Sequence, residues 1–169
     1  ALHETPSVER FLKDCIAAQL GSAQLKSLRA IAEMDSCSDE LFFAIEPSVS
    51  ESGMPPSEAA DRGLPLKPVP GRGRWYRLNP LLQAWLQTPV MGGYITRMLM
   101  ASRWFEQRQQ FPEALKYAVL AGDSDEVVRI ASESTEALLL GQDTASLLSL
   151  RKNLPAELLE RSARLRIVY

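Results

Sequence analysis

Apolar positions along the first 45 residues recur with the period of a helix. Val8, Phe11, Leu12, Cys15 and Ile16 fall at i, i+3, i+4, i+7 and i+8, the stripe of an amphipathic helix, and Gly21 follows as its stop. Ser22 is placed to cap a second helix, with Leu25, Leu28, Ile31 and Ala32 turned inward. "CSDELFFAI" predicts a third, shorter helix capped by Ser38, with Leu41, Phe42 and Ile45 buried. The period then disappears: residues 46–61, rich in Pro, Ser and acids, predict a mobile loop running into one helical turn that Gly63 ends.

From 64 to 78 the pattern is that of short strands. "LPLKPV" and "RWYRL" flank Pro70-Gly71-Arg72-Gly73, which is turn chemistry, and together they predict a β-hairpin. Pro65 and Pro68 lack amide hydrogens and restrict the first strand to an edge, which suits a two-stranded ribbon. Asn79 as cap and Pro80 at the first helical position then restart a helix, "NPLLQAWL". Three helices, a hairpin and a helix are the outline of a winged-helix domain over residues 1–89, with 64–78 as its wing. The proline and glycines of "QTPVMGG" mark a boundary.

Residues 94–169 read as helix throughout. The first of these helices carries Ile95, Met98, Leu99, Ser102 and Phe105 on one face. The next begins at Pro112, ends at Gly122 and keeps small Ala114, Ala118 and Ala121 for a close crossing; the third begins with Asp123 and Glu126 in capping-box spacing. Two more, introduced by Asp143 and Pro155, complete a series of antiparallel hairpins like tetratricopeptide units. The fold class expected is therefore mainly α: a winged-helix domain with a small β-hairpin, followed by tetratricopeptide-like antiparallel helical hairpins.

Charge sharpens this outline. The 169 residues carry 19 Lys and Arg against 21 Asp and Glu, yet from Arg62 to Phe105 there are seven basic residues, Arg62, Lys67, Arg72, Arg74, Arg77, Arg97 and Arg103, and no acid. The remainder holds 12 basic against 21 acidic residues. A positive centre between acidic flanks points to a partner surface, either for phosphate or for an acidic face of the same protein.

The chemistry available for catalysis is sparse. His3 is the one histidine, which leaves no material for a histidine-dependent triad or a His-based zinc site. Cys15 and Cys37, on apolar faces of predicted helices and without CxxC spacing, read as reduced core cysteines. GRGRW is not a P-loop, since no Lys-Ser/Thr follows, nor a dinucleotide fingerprint, since its glycines lead into a strand. As a wing it could meet DNA phosphates, but the expected groove-reading helix, "SDELFFAIEP", carries Asp39, Glu40 and Glu46 and no base. Trp75, Tyr76, Trp85 and Trp104 read as core rather than a stacking platform. Met91, Met98 and Met100 flank the boundary as adaptable filler. The residues singled out as facing a phosphate or a neighbouring domain are Arg72, Arg74, Arg77 and Asn79. No catalytic or metal-binding residue is expected.

In order and spacing, "GLPLKPVPGRGRWYRLNPLLQAWL", "ASRWFEQRQQFPEALKYAVLAGD" and "LLSLRKNLPAELLERSARL" resemble the large ATP-dependent LuxR-type transcription regulators, the MalT-like signalling ATPases. The resemblance runs from about Val8 to Tyr169 and is clearest from Gly63 onward. It implies an internal fragment of a cytoplasmic, non-membrane protein, an expectation that matches a chain opening on Ala and stopping within an apolar-periodic segment. ATP or ADP would bind in a preceding P-loop domain and promoter DNA to a following helix-turn-helix. A small-molecule or protein inducer would bind the helical region. The winged helix would close over the nucleotide domain in the resting state, so that exchange of ADP for ATP releases a conformational switch. Where the family has Trp-Tyr-Arg-Tyr-His-His, this chain has Trp75-Tyr76-Arg77-Leu78-Asn79-Pro80, so a histidine contact to phosphate would be absent or replaced by Arg77 or Asn79. The family's Gly after the tryptophan-bearing helix is Gln109, a change expected to tighten no turn, and its His-Ala-Leu is Tyr117-Ala118-Val119. The alternative from another class is a stand-alone helical adaptor whose groove binds a protein or peptide.

Overall fold

The computed structural model describes residues 20–49, 53–87, 92–140, 143–154 and 156, in two compact units that divide between Gly92 and Gly93. The helix expected over Val8–Ile16 and the last, after Pro155, lie outside the described residues, as does Cys15.

The first unit is built from short elements. Helix α1, Ser22–Ala32, buries Leu28, Ala30, Ile31 and Ala32. Its cap is Gly21 rather than Ser22: the Gly21 amide donates to Gln24 Oε1 at 3.1 Å, so the side chain three residues on supplies the acceptor and the helix starts one residue earlier. Strand β1, Cys37–Ser38, leads into α2, Asp39–Ile45. Cys37 therefore sits on a strand and not on a helical face; its thiol is free and buried, and burial, then the Asp39 charge, pushes its pKa up. Ser38 caps α2 as expected, its hydroxyl accepting from the Leu41 amide at 3.2 Å, with Leu41, Phe42 and Ile45 buried.

Residues 46–49 and 53–55 differ from the expected mobile loop, 50–52 lie outside the described residues, and the helical turn expected before Gly63 is present. Glu46 is 5% exposed and paired with Lys26 at 3.2 Å, Pro47–Val49 form a 3₁₀ turn, and Met54 is 1% exposed. Helix α3, Pro56–Asp61, buries Pro56, Ser57 and Ala59. Two polar ties bring this stretch down. Ser27 Oγ accepts from the Met54 amide at 3.1 Å, and the Asp39 carboxylate accepts from the Ser57 amide and hydroxyl at 2.9 and 2.6 Å. Gly63 ends α3 as expected, with φ +80°. Its amide bonds Ala60 O and that of Leu64 bonds Ala59 O, the paired bonds of a left-handed helix stop.

Strands β2, Leu66–Pro68, and β3, Trp75–Leu78, are antiparallel, with Leu66 opposite Leu78, Lys67 opposite Arg77 and Pro68 opposite Tyr76. Strand β1 pairs on the other side of β3, Cys37 opposite Tyr76 and Ser38 opposite Trp75. The ribbon is thus a three-stranded sheet of order β1-β3-β2. Pro68 does stand on an edge strand. Helix α4, Pro80–Leu86, is capped by Asn79, whose Oδ1 accepts from the Leu81 amide at 2.9 Å. Its Gln83 and Gln87 donate to the carbonyls of Ala32 and Met34 at 2.7 to 3.1 Å, satisfying acceptors that the end of α1 leaves without intrahelical donors.

The second unit is helical: α5, Tyr94–Gln107; α6, Phe111–Ala121; α7, Ser124–Leu140; and α8, Thr144–Asn153. Consecutive helices pack, and α6 also meets α8. The small residues expected at the crossing are buried: Ala114 and Ala118 fully and Ala121 to 8% exposure, joined by Ala101 of α5, and Ser102 donates to Ala114 O at 2.8 Å. The inward face of α5 is displaced from the expected one. Ile95 is 59% exposed and Leu99 only half-buried, while Arg97, Met98, Ala101, Ser102, Trp104 and Phe105 are buried, because the close crossing at Ala101 and Ser102 turns Trp104 inward. Gly122, φ +73°, ends α6, and Asp123 caps α7 by accepting from the Glu126 amide at 3.1 Å. Glu126 does not return the bond to complete a capping box; its carboxylate is held by Arg129.

The turn after α5 requires a backbone conformation that its sequence does not favour. Gln109 has φ +58°, the sole non-glycine in the left-handed region among the described residues. Its amide bonds Glu106 O and that of Gln110 bonds Phe105 O, the same stop that Gly63 makes. This position does demand left-handed backbone, and glutamine holds it at a cost of about 1–2 kcal/mol that glycine would not carry.

Candidate functional site

The hairpin positions the arginines. Arg72 N bonds Val69 O at 3.3 Å across Pro70 and Gly71, and Gly71 at φ +74° supplies the positive φ that the third position of this proline-led turn requires. Val69 N bonds Trp75 O at 2.7 Å and Asn79 N bonds Pro65 O at 2.9 Å, so the pairing extends beyond both strands. Alternation then sorts the side chains. Leu66 and Leu78 face inward, 8% and 3% exposed; Lys67, Arg77 and half-buried Trp75 stand on the outer face.

The four expected residues lie on or just after the hairpin and engage four different partners rather than a common point. The Arg72 guanidinium lies over the Trp75 ring, 4.9 Å from its centroid. Arg74 pairs with Asp39 at 3.6 Å, the carboxylate that also anchors Ser57. Arg77 Nε donates to Asp35 O at 3.2 Å, a neutral acceptor that leaves its charge in place. Asn79 uses its side-chain carbonyl as a helix cap. Lys67, directly opposite Arg77 and exposed, belongs to this cationic face although it was not among the residues singled out. Of the other bases in the acid-free stretch, Arg62 pairs with Glu58 four residues earlier at 2.6 Å and Arg97 is buried in the second unit.

The helix before the hairpin is α3, not "SDELFFAI", and it too carries Glu58 and Asp61 and no base. Trp75, Tyr76 and Trp85 are half-buried and Trp104 is 8% exposed. The Arg72 guanidinium already covers the one indole on the outer sheet face. What this face offers is charge for compact anions rather than a stacking surface.

A second polar cluster, not anticipated, lies between α5 and α7. Arg129 places all five N–H donors on carboxylates: Nε and Nη2 on Glu126 at 2.8 and 2.9 Å, Nη1 and Nη2 on Glu106 at 2.9 Å, and Nη1 on Glu133 at 2.8 Å. Hydrogen bonding to Arg129 holds Glu126 below the usual carboxylate range, and Glu126, then Glu106, raise the pKa of Arg129. The i, i+3 and i, i+4 spacing of Glu126, Arg129 and Glu133 is readable in the sequence; Glu106, 23 residues away, is not.

Among the described residues, no three His, Cys, Asp or Glu side chains are grouped to hold a metal ion, and no helix is long and apolar enough to cross a membrane. No protein-family model matches this chain, and no curated protein is similar to it.

Proposed function

We propose that this chain is a non-catalytic regulatory segment of a LuxR-type, ATP-dependent transcription regulator, coupling a nucleotide-binding domain to a helical sensor region. The observation that supports the reading is the succession α1-β1-α2-α3-β2-β3 with sheet order β1-β3-β2, which a winged helix with residues 64–78 as its wing would have. The antiparallel succession α5 to α8, with α5 and α6 crossing on alanines, supports a tetratricopeptide-like region following it in the chain. The wing's cations would face an acidic surface of the neighbouring nucleotide domain, or a nucleotide phosphate there, and the segment would act by a change of arrangement rather than a reaction. Both α2 and α3 carry acids and no base, which opposes a groove-reading role here; DNA binding would belong to a separate helix-turn-helix.

The test is the natural gene product. It is expected to contain an upstream GxxxxGK[ST] motif and a downstream helix-turn-helix and to bind ADP. A product with neither motif, or tight promoter-discriminating binding by residues 1–169 alone, would overturn the reading.

A further inference from the structure

Two groups of charge on the described surface lack local balance. On the outer sheet face, Lys67 and Arg77 stand directly opposite each other on neighbouring strands, where like charges repel. Arg77 meets only a neutral carbonyl with its Nε, whereas nearby Arg74 has Asp39. On the helical unit the sign is reversed. Glu106, Glu126 and Glu133 share Arg129; Arg103 adds its field to Glu126, while Asp123 and Asp125 precede it at the start of α7. Three carboxylates share the one Arg129 guanidinium, and Glu133, with its side chain 64% exposed, stands at the surface beside exposed Asp125 of the same helix.

We infer that the outer sheet face of one copy of this chain docks on the α5–α7 carboxylate group of a second copy, with Lys67 and Arg77 meeting Glu133 and Asp125. Lys67 and Arg77, exposed on the sheet, and Asp125 and Glu133, exposed on α7, give the chain the complementary charges such a contact needs. An extended polyphosphate fits less well, because Asp39 and exposed Glu40 lie beside the wing. The two surfaces differ, so the contact is head-to-tail. A pair retains one unused sheet face on one copy and one unused carboxylate group on the other, and association continues past the dimer unless a ring closes. This inference does not depend on the regulator reading.

Sedimentation of the 169-residue chain against concentration and salt tests it. Concentration-dependent assembly at low salt, dissolving as salt screens the charges, is expected. Lys67→Glu with Arg77→Glu, and separately Asp125→Lys with Glu133→Lys, should each abolish assembly, while mixing the two double variants should restore it. All four positions are exposed, and Lys67→Gln with Arg77→Gln gives a milder version of the first change. A wild-type chain that stays monomeric at low salt, assembly that survives the wing reversal, or reversed variants that fail to recombine while remaining folded would overturn the inference.

Discussion

The sheet-bearing unit and the helical unit join their elements by different means. In the first, the longest described helix has 11 residues, and the ties between elements are polar side chains reaching to distant backbone: Asp39 to Ser57, Ser27 to Met54, Gln83 and Gln87 to the end of α1. In the second, α7 runs for 17 residues, and α5 and α6 approach through alanines, with Phe105 stacked on Tyr117 at 5.3 Å and edge-on to Trp104 at 5.0 Å. Short elements bury too little apolar area each to fix their own placement, so directional bonds do it; long helices with small crossing residues are placed by packing.

The sharpest way to break that contrast is in the helical core. Phe105→Ala removes the ring at the centre of the aromatic stack and is expected to destabilise the second unit by about 3–5 kcal/mol, seen as early loss of Trp104 burial in urea while the first unit holds. Retained Trp104 burial would contradict the central place of Phe105 in that core. In the sheet-bearing unit the matching change is Asp39→Ala, which leaves the buried Ser57 amide and hydroxyl without their acceptor. The expected cost is about 1–3 kcal/mol, with amide exchange rising first in α3.

Gln109→Gly should move stability the other way. Relief of the left-handed backbone, less the flexibility glycine adds to the unfolded chain, should stabilise the second unit by up to about 1 kcal/mol, a rise in Tm of about 4–8 °C per kcal/mol for a domain of this size. No rise would mean that glutamine holds the turn without strain.

The smallest effect is in pH. The folded state depresses the Glu126 pKa below its ordinary value of 4.5, so its contribution is present above that value and is lost as pH falls through the lower folded value. Glu126→Gln should flatten the acid limb of the second unit's stability curve. An unchanged slope would assign that limb to other carboxylates.

Legibility in the sequence follows the same division. In the helical unit Gly122, Asp123 and the alanines are local signals and were readable, as was the burial of Met98, Ser102, Trp104 and Phe105 on α5; the exposure of Ile95 was not, because periodicity does not show where a stripe leaves the core. In the sheet-bearing unit the wing turn, the edge proline and the Asn79 cap were readable, since each is set within four residues. The two-residue β1 is too short for periodicity, and the packing of Met54 and Ser57 depends on Ser27 and Asp39, 27 and 18 residues away. The site divides likewise. Arg72 on Trp75 is a local contact within the hairpin. Lys67 opposite Arg77 requires the strand register, and Arg74 on Asp39 requires the fold.

The most direct measurement of the regulatory proposal is sedimentation of the full-length gene product with ADP bound, wild type beside Arg72→Ala/Arg74→Ala, with Arg77 left in place. Exposed charges contribute about 0–1 kcal/mol each, so the variant should keep its fold. The expected result is a weakened ADP-bound resting state, with assembly at ATP levels that leave the wild type unassembled. Unchanged ADP affinity and unchanged assembly would contradict a partner-facing role for the wing.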